Sequence, residues 1–214
     1  MRKSDEFHIF YEQNRLWEGT SWFGVPAWKL PFDAWIIQEL IWKIKPDLII
    51  ETGSGKGGSA LFYASLLHCI GGANKRVISV DIESIDQSQF MEITPSILSK
   101  ITFFNGGSTE SATIDFIEKY VRLSAKVMVL LDSWHSEDHV LDELTLYSPF
   151  VTQDSYIIVE DSHVGGNPVP WEYGKGPMGA IKKFLEKTDK FISDQECEKL
   201  ILTFNPLGYL KRVK

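Results

Sequence analysis

The chain has 214 residues, 43% of them hydrophobic, and a formal net charge of −7. That length fits one domain with a full core, and an acidic balance without a dense Lys/Arg block disfavours nucleic-acid binding through phosphates. Two cysteines make no disulfide framework, no apolar run reaches membrane-spanning length and no signal core follows Met1, so a soluble cytoplasmic protein is expected.

Residues 1–30 read as an N-terminal extension, and 31–214 as the main domain. The extension carries the aromatic cluster Trp17, Trp22, Phe23 and Trp28, which suits either a cover over a binding mouth or packing on a sheet edge. After Asp33, the stripe Ile36, Ile37, Leu40, Ile41 and Ile44 predicts a helix closed by Pro46. Five continuous apolar runs follow: Asp47–Glu51, Val77–Asp81, Ile101–Asn105, Val127–Asp132 and Tyr156–Glu160. Runs of this kind mark strands covered on both faces of a parallel sheet. Cys69 falls in the apolar helical pattern after the first run and is expected in the core. Val140, Leu141, Leu144 and Tyr147 predict a helix stopped by Pro149, and Met178, Ile181, Phe184 and Leu185 another. Leu200–Phe204 and Tyr209–Val213, around Asn205-Pro206-Leu207-Gly208, read as an antiparallel hairpin. The fold class is therefore α/β, a doubly wound, mostly parallel seven-stranded sheet with an antiparallel C-terminal edge.

The first strand runs into Glu51-Thr52-Gly53-Ser54-Gly55-Lys56-Gly57-Gly58-Ser59. Such a turn ahead of a helix offers free N–H groups and a positive dipole end to an anionic or carboxylate-bearing ligand. Gly53, Gly55 and Gly58 with Asp81 one strand later also fit a nicotinamide dinucleotide site. Lys56 sits mid-loop, so the Gly-Lys-Ser/Thr ending of a phosphate loop is missing. Glu110 likewise spoils a serine nucleophile elbow at 106–110.

Four of the five parallel strands end in an acid: Glu51, Asp81, Asp132 and Glu160, with Asp161 next. Ligands of such sheets bind beyond the carboxyl ends of the strands. Each acid alone reads as solvated surface, but several at one rim repel unless a cation or donors compensate. Asp132, Glu160 and Asp161 make an all-oxygen set suited to Mg²⁺ or Mn²⁺. His135 reads either as a solvated first-turn residue or, with His139 and Asp132, as part of a zinc site.

Glu51-Thr52-Gly53 with Gly57-Gly58-Ser59, Asn105-Gly106-Gly107-Ser108, Asp132-Ser133-Trp134-His135-Ser136, the run from His139 to Leu144, and Ile158-Val159-Glu160-Asp161 follow one another in this order. Together with Lys45 to Glu51 and Leu202 to Pro206, this order resembles the cephalosporin hydroxylase/rhamnosyl O-methyltransferase family of class I S-adenosylmethionine enzymes. It is similar, more distantly, to macrolide-sugar and catechol-type metal-dependent O-methyltransferases. The resemblance implies a Rossmann-like methyltransferase fold and S-adenosylmethionine as cofactor. Gly53 and Gly55 would approach its methionine part, Glu51 its ammonium and Ser59 its carboxylate. Asp81 would take the ribose, with Ser108 and Trp134 at the adenine. It also implies Asp132, Glu160 and Asp161 as ligands of Mg²⁺ or Mn²⁺ and His135 as general base toward a hydroxyl of a sugar or natural product. The loop Ser162–Gly176, with His163, Trp171, Glu172 and Tyr173, is expected to shape the acceptor pocket. A non-catalytic cofactor-binding subunit of an oxygenase and an NAD-dependent oxidoreductase stay as alternative readings. Monomer, dimer and larger homo-oligomers are all compatible with the chain.

Overall fold

The computed structural model describes residues 2–171 and 174–214. In chain order it runs α1 (Lys3–Gln13), β1 (Ser21–Trp22), β2 (Val25–Pro26), α2 (Pro31–Ile44), β3 (Leu48–Thr52), α3 (Gly58–Ile70), β4 (Arg76–Asp81), α4 (Pro95–Leu98) and β5 (Ile101–Asn105). There follow α5 (Ser111–Val121), β6 (Val127–Leu131), α6 (Glu137–Tyr147), β7 (Tyr156–Val159), α7 (Pro177–Lys187), β8 (Phe191–Ser193) and β9 (Tyr209–Arg212). No helix among the described residues is long and apolar enough to cross a membrane.

Seven strands form one sheet in the order β5-β4-β3-β6-β7-β9-β8, while β1 and β2 make a separate two-stranded ribbon. β3, β4, β5, β6 and β7 are parallel. Successive side chains of a strand point to opposite faces, so each apolar run feeds two cores. Leu48, Ile50, Val127, Val129 and Leu131 join the core that includes Ile117, Leu144 and Ile181 of the helices. Ile49, Met128 and Leu130 join the core built with Ile37, Ile41 and Leu67 of α2 and α3. The strand order reverses between β3 and β6, and the crevice at such a reversal is where doubly wound sheets bind ligands.

The antiparallel edge is present, but its outer strand is not the one the sequence suggests. β9 pairs with β7 on one side and with β8 on the other, whereas residues 200–204 form no strand. Their polar groups serve elsewhere. Asp33, buried in the first turn of α2, accepts hydrogen bonds from the Thr203 hydroxyl at 2.5 Å, the Phe204 N–H at 2.8 Å and the Tyr209 hydroxyl at 2.8 Å. Burial pushes its carboxyl up to about 6, against these donors. Cys69 also departs from expectation, being exposed where α3 turns its last residues outward, whereas Cys197 is buried.

Asp33 is thus a single acceptor for three donors from the C-terminal segment. Replacing it by Ala strands them in the interior. Asp33→Ala is expected to cost about 3–5 kcal/mol in urea unfolding; a cost below about 1 kcal/mol would mean that water replaces the carboxylate.

Candidate active site

The glycine-rich turn is shaped by what surrounds it. Gly53 has φ +83°, and a Cβ there would lie 1.9 Å from the Asp132 carbonyl oxygen, so only glycine fits. At Gly58 a Cβ would meet the Pro26 carbonyl oxygen at 2.3 Å. β3 and β6 are locked side by side here, with the Asp132 N–H donating to the Thr52 carbonyl at 2.9 Å. The N-terminus of α3 has no side-chain cap, which leaves its first-turn N–H groups to a ligand.

A cavity of about 360 Å³ opens over this turn. Gly53, Gly55, Ser59, Asp81, Asp132, His135 and Asp161 all line it, so the structure brings together most of the residues singled out from sequence. Glu51 lies beneath, fully buried. Its Oε2 accepts from the Ser79 hydroxyl at 2.5 Å, while its Oε1 is buried without a partner. Asp81 accepts from the Gly55 N–H and the Glu83 N–H, each at 2.9 Å, one on each oxygen. Each oxygen keeps a second lone pair.

Asp132, His135 and Asp161 offer ligand atoms that all lie within 4.8 Å of one another, a grouping that could hold a metal ion. His135 Nε2 stands 3.3 Å from Asp161 Oδ2. Asp161 has φ +53°, a conformation that a short polar residue tolerates, and its N–H donates to the Asn205 side-chain oxygen at 3.0 Å. Residues 203–206, read from sequence as the end of a strand and the start of its hairpin turn, thus form the backing of the site.

Glu160 does not join that trio. It is buried, and its Oε2 accepts from the Lys29 ammonium at 2.6 Å; the same ammonium donates to Asp132 Oδ2 at 2.5 Å. Burial works against the charge of Lys29, yet the two carboxylates override it and hold its pKa above the ordinary value. Burial raises both Asp132 and Glu160, with Lys29 opposing. No sequence pattern announces Lys29, which lies 103 and 131 residues from its partners.

Ser108 and Trp134 lie off the lining of this cavity. Ser108 is buried, with its hydroxyl 3.3 Å from His139 Nε2. His139 also meets Ser133 Oγ at 3.0 Å and Glu143 at 3.6 Å, and Glu143 pushes its pKa up. The His135–His139–Asp132 zinc grouping is therefore not formed among the described residues. Trp134, half exposed, packs obliquely on Trp171 at 5.6 Å between ring centres.

The aromatic cluster divides between its two expected roles. Trp17 and Trp28 line the cavity, whereas Trp22 packs edge-on against Phe62 of α3 at 4.8 Å. Phe23 stays exposed. From the loop 162–176, His163, Val164 and Trp171 line the cavity; Glu172 and Tyr173 lie outside the described residues. Sequence reasoning missed Glu12, which α1 brings to the same cavity with its Oε2 3.6 Å from His163 Nε2.

Burial raises the Glu51 carboxyl from 4.5 to about 7, with Lys29 opposing. Between those values the folded chain keeps a proton that the unfolded chain releases, so this group's contribution to stability falls as pH rises through that window. Glu51→Gln, which does not titrate, is expected to gain on the parent protein by on the order of 3 kcal/mol between pH 4.5 and 7 in urea unfolding. Parallel stability profiles for the two proteins would contradict this.

Comparison with known proteins supplies the lineage. A family model, Rhamnosyl O-methyltransferase/CmcI, matches residues 14–213. A rhamnosyl O-methyltransferase of Mycobacterium leprae is 36% identical over 215 residues, covering 98% of this chain and 90% of its own. One from Mycobacterium bovis is 33% identical over 212 residues, covering 98% and 84%. Among solved structures, a CmcI structure with Mg and SAM superposes with a TM-score of 0.67 at 21% identity, over 92% of this chain and 78% of that one, a likeness of fold. With a matching family model over nearly the whole sequence and relatives above 30% identity, the chain belongs to the rhamnosyl O-methyltransferase/CmcI family.

Proposed function

We propose that this protein, by its family an S-adenosylmethionine-dependent O-methyltransferase, methylates a hydroxyl of a sugar or related natural-product polyol with the help of a divalent cation. The observation that carries the reading is the meeting of Asp132, His135 and Asp161 in one cavity with the glycine turn.

The cofactor fits what the chain offers. Glu51 Oε1 is a buried acceptor without a partner, as an ammonium group would require. Ser59 and the uncapped start of α3 suit a carboxylate, and Asp81 keeps lone pairs for a ribose diol. Gly53 and Gly55 let the backbone come close. Trp134, packed on the Trp171 that lines the cavity and itself half exposed, supplies an aromatic face for adenine. S-adenosylmethionine, when bound, supplies an electrophilic methyl group.

The cation fits as well. The acidic set read from sequence, Asp132, Glu160 and Asp161, would hold the ion; Asp132 and Asp161 face the cavity, with His135 beside them. Mg²⁺ or Mn²⁺, when bound, supplies Lewis acidity toward the acceptor hydroxyl. His135 accepts the hydroxyl proton, and Asp161 Oδ2, 3.3 Å from Nε2, stabilises the positive ring that results. Trp17, Trp28 and Trp171 exclude water from one side and offer apolar faces to a sugar ring. The dinucleotide reading of the glycine pattern finds no place in this family assignment.

Radiolabelled S-adenosylmethionine and a panel of glycosides with vicinal diols test the reading. Transfer is expected to stop in EDTA and return with Mg²⁺. His135→Ala is expected to lower kcat by about 10²–10⁴-fold. Calorimetry on the same variant is expected to give a Kd for S-adenosylmethionine within about threefold of the parent's, since His135 serves the acceptor. Full transfer in EDTA would remove the cation from the reading, and an undiminished kcat would remove the base.

A further inference from the structure

The cavity has two chemically different ends. It runs along the sheet from Asp81 at the end of β4, past the glycine turn after β3 and Asp132 after β6, to Asp161 and His163 beyond β7. The reading above gives the glycine turn to S-adenosylmethionine. Beyond Asp161 the lining holds a further acid, Glu12, which the reaction as derived does not use.

Helix α1 puts Glu12 there. His8, Tyr11 and Glu12 share one helical face, at spacings of three and four residues. His8 is buried, and it and Tyr11 pack on Phe204 at 5.9 and 5.5 Å between ring centres. Phe204 in turn lies flat on His163 at 4.0 Å. The helix is thereby pinned to the rim, and Glu12 is carried into the lining.

The carboxylate is short of donors. Its Oε2 stands 3.6 Å from His163 Nε2, beyond a hydrogen bond, and no other described residue pairs with it. His163 Nε2 and Trp17 Nε1 are buried without hydrogen-bond partners, and both side chains line the same cavity. Buried polar atoms ordinarily have partners. A carboxylate only accepts and an indole N–H only donates, whereas a hydroxyl does both. Among the described residues, Glu12, Asp81, Asp132 and Asp161 line the cavity against a single lysine, Lys56, so a neutral acceptor suits it better than an anionic one.

We infer that Glu12 is a specificity residue for the methyl acceptor: it accepts a hydrogen bond from a sugar hydroxyl other than the one methylated. The inference rests on the sugar-acceptor reading above and names the group that selects among neutral polyols.

Methyl hexosides and methyl 6-deoxyhexosides serve as probes of the full chain, with saturating S-adenosylmethionine and Mg²⁺. Monodeoxy analogues are then made of the glycoside that the parent protein methylates with the highest kcat/KM. Glu12→Gln keeps the size and removes the charge. It is expected to raise KM for that glycoside at least about tenfold, with kcat and the calorimetric Kd for S-adenosylmethionine each within about threefold. One deoxy analogue is expected to lose at least about tenfold in kcat/KM with the parent protein, and less than about threefold with Glu12→Ala. A merely structural role would leave that deoxy penalty intact. Should Glu12→Ala fail to fold, as judged by circular dichroism, Glu12→Gln still decides the matter. An unchanged KM in Glu12→Gln, or deoxy penalties that all persist in Glu12→Ala, would overturn the role given to Glu12 while leaving the sugar acceptor in place. Absence of transfer to every glycoside by the parent protein would overturn the sugar reading and this inference with it.

Discussion

Glu51, Asp132, Glu160 and Asp161 converge within a few strand widths of one another, and compensating their charge organises much of the molecule. An unpaired carboxylate in the interior costs several kcal/mol, so each must find donors, a counter-charge or a proton. Glu51 takes the Ser79 hydroxyl and a raised pKa. Asp132 and Glu160 share one ammonium. Asp161 faces His135 and is held from behind by Asn205. The ammonium reaches its place because the β1–β2 ribbon lies across the start of α3. Gly58 admits the Pro26 carbonyl at a distance no side chain would allow. Glycine turn, N-terminal ribbon and acidic cluster are therefore one packed unit, and a change in any of them is felt in the other two.

The parallel half of the sheet was legible in the sequence because burial on both faces forces a continuous apolar run. Predicted runs and observed strands agree to within a residue or so at each end, and Ile101–Asn105 agrees throughout. The carboxyl-end acids were legible for a related reason. A strand that ends abruptly at a rim carries its last polar residue to a known place, and Asp81, Asp132 and Asp161 do line the cavity. What failed was anything set by long-range pairing. Phe191–Ser193 is too short to show alternation, yet it takes the outer edge of the sheet. Leu200–Phe204 has the composition of a strand, but the Phe204 N–H is claimed by Asp33, and its carbonyl accepts from the His163 N–H. Lys29 had no local signal at all. In one dimension it is a lysine before Leu30-Pro31, and only the closed fold shows that it has left the solvent.

The aromatic residues near the N-terminus show how a single cluster can meet two demands. Trp22 donates its indole N–H to Ser65 Oγ at 3.1 Å and packs on Phe62, so it fastens the ribbon to α3. Once the ribbon is fastened, Trp28 is carried over Gly55, where a Cβ would stand 3.3 Å from its ring. Trp17 meets Trp28 edge-on at 5.9 Å and extends the same wall. Anchoring and covering are therefore successive steps along one stretch of chain, which is why composition alone left them as alternatives.

The rim opposite this wall is built differently, from stacked rings and a strained turn. His163 lies flat on Phe204 at 4.0 Å with its Nδ1 3.1 Å from the Phe204 carbonyl oxygen. A carbonyl only accepts, so Nδ1 carries the hydrogen of that contact, and the ring's second nitrogen, Nε2, points away from it. That atom is buried without a hydrogen-bond partner and faces the Glu12 carboxylate at 3.6 Å. His8, its pKa lowered to about 4 by burial with His163 adding to the effect, packs beside the stack and contributes no charge near neutral pH. The left-handed turn at Asp161 is what brings His163 under this cover, two residues after the acid that faces His135. Asn205 and Pro206 hold that turn through the Asp161 N–H and the Ser162 hydroxyl. Strain of this kind persists only where the surroundings over-determine the backbone. Here the over-determination runs from Asp33 through Thr203 and Phe204 to Asn205. A carboxylate buried at the start of α2 thus helps fix the geometry of an acid on the far side of the cavity.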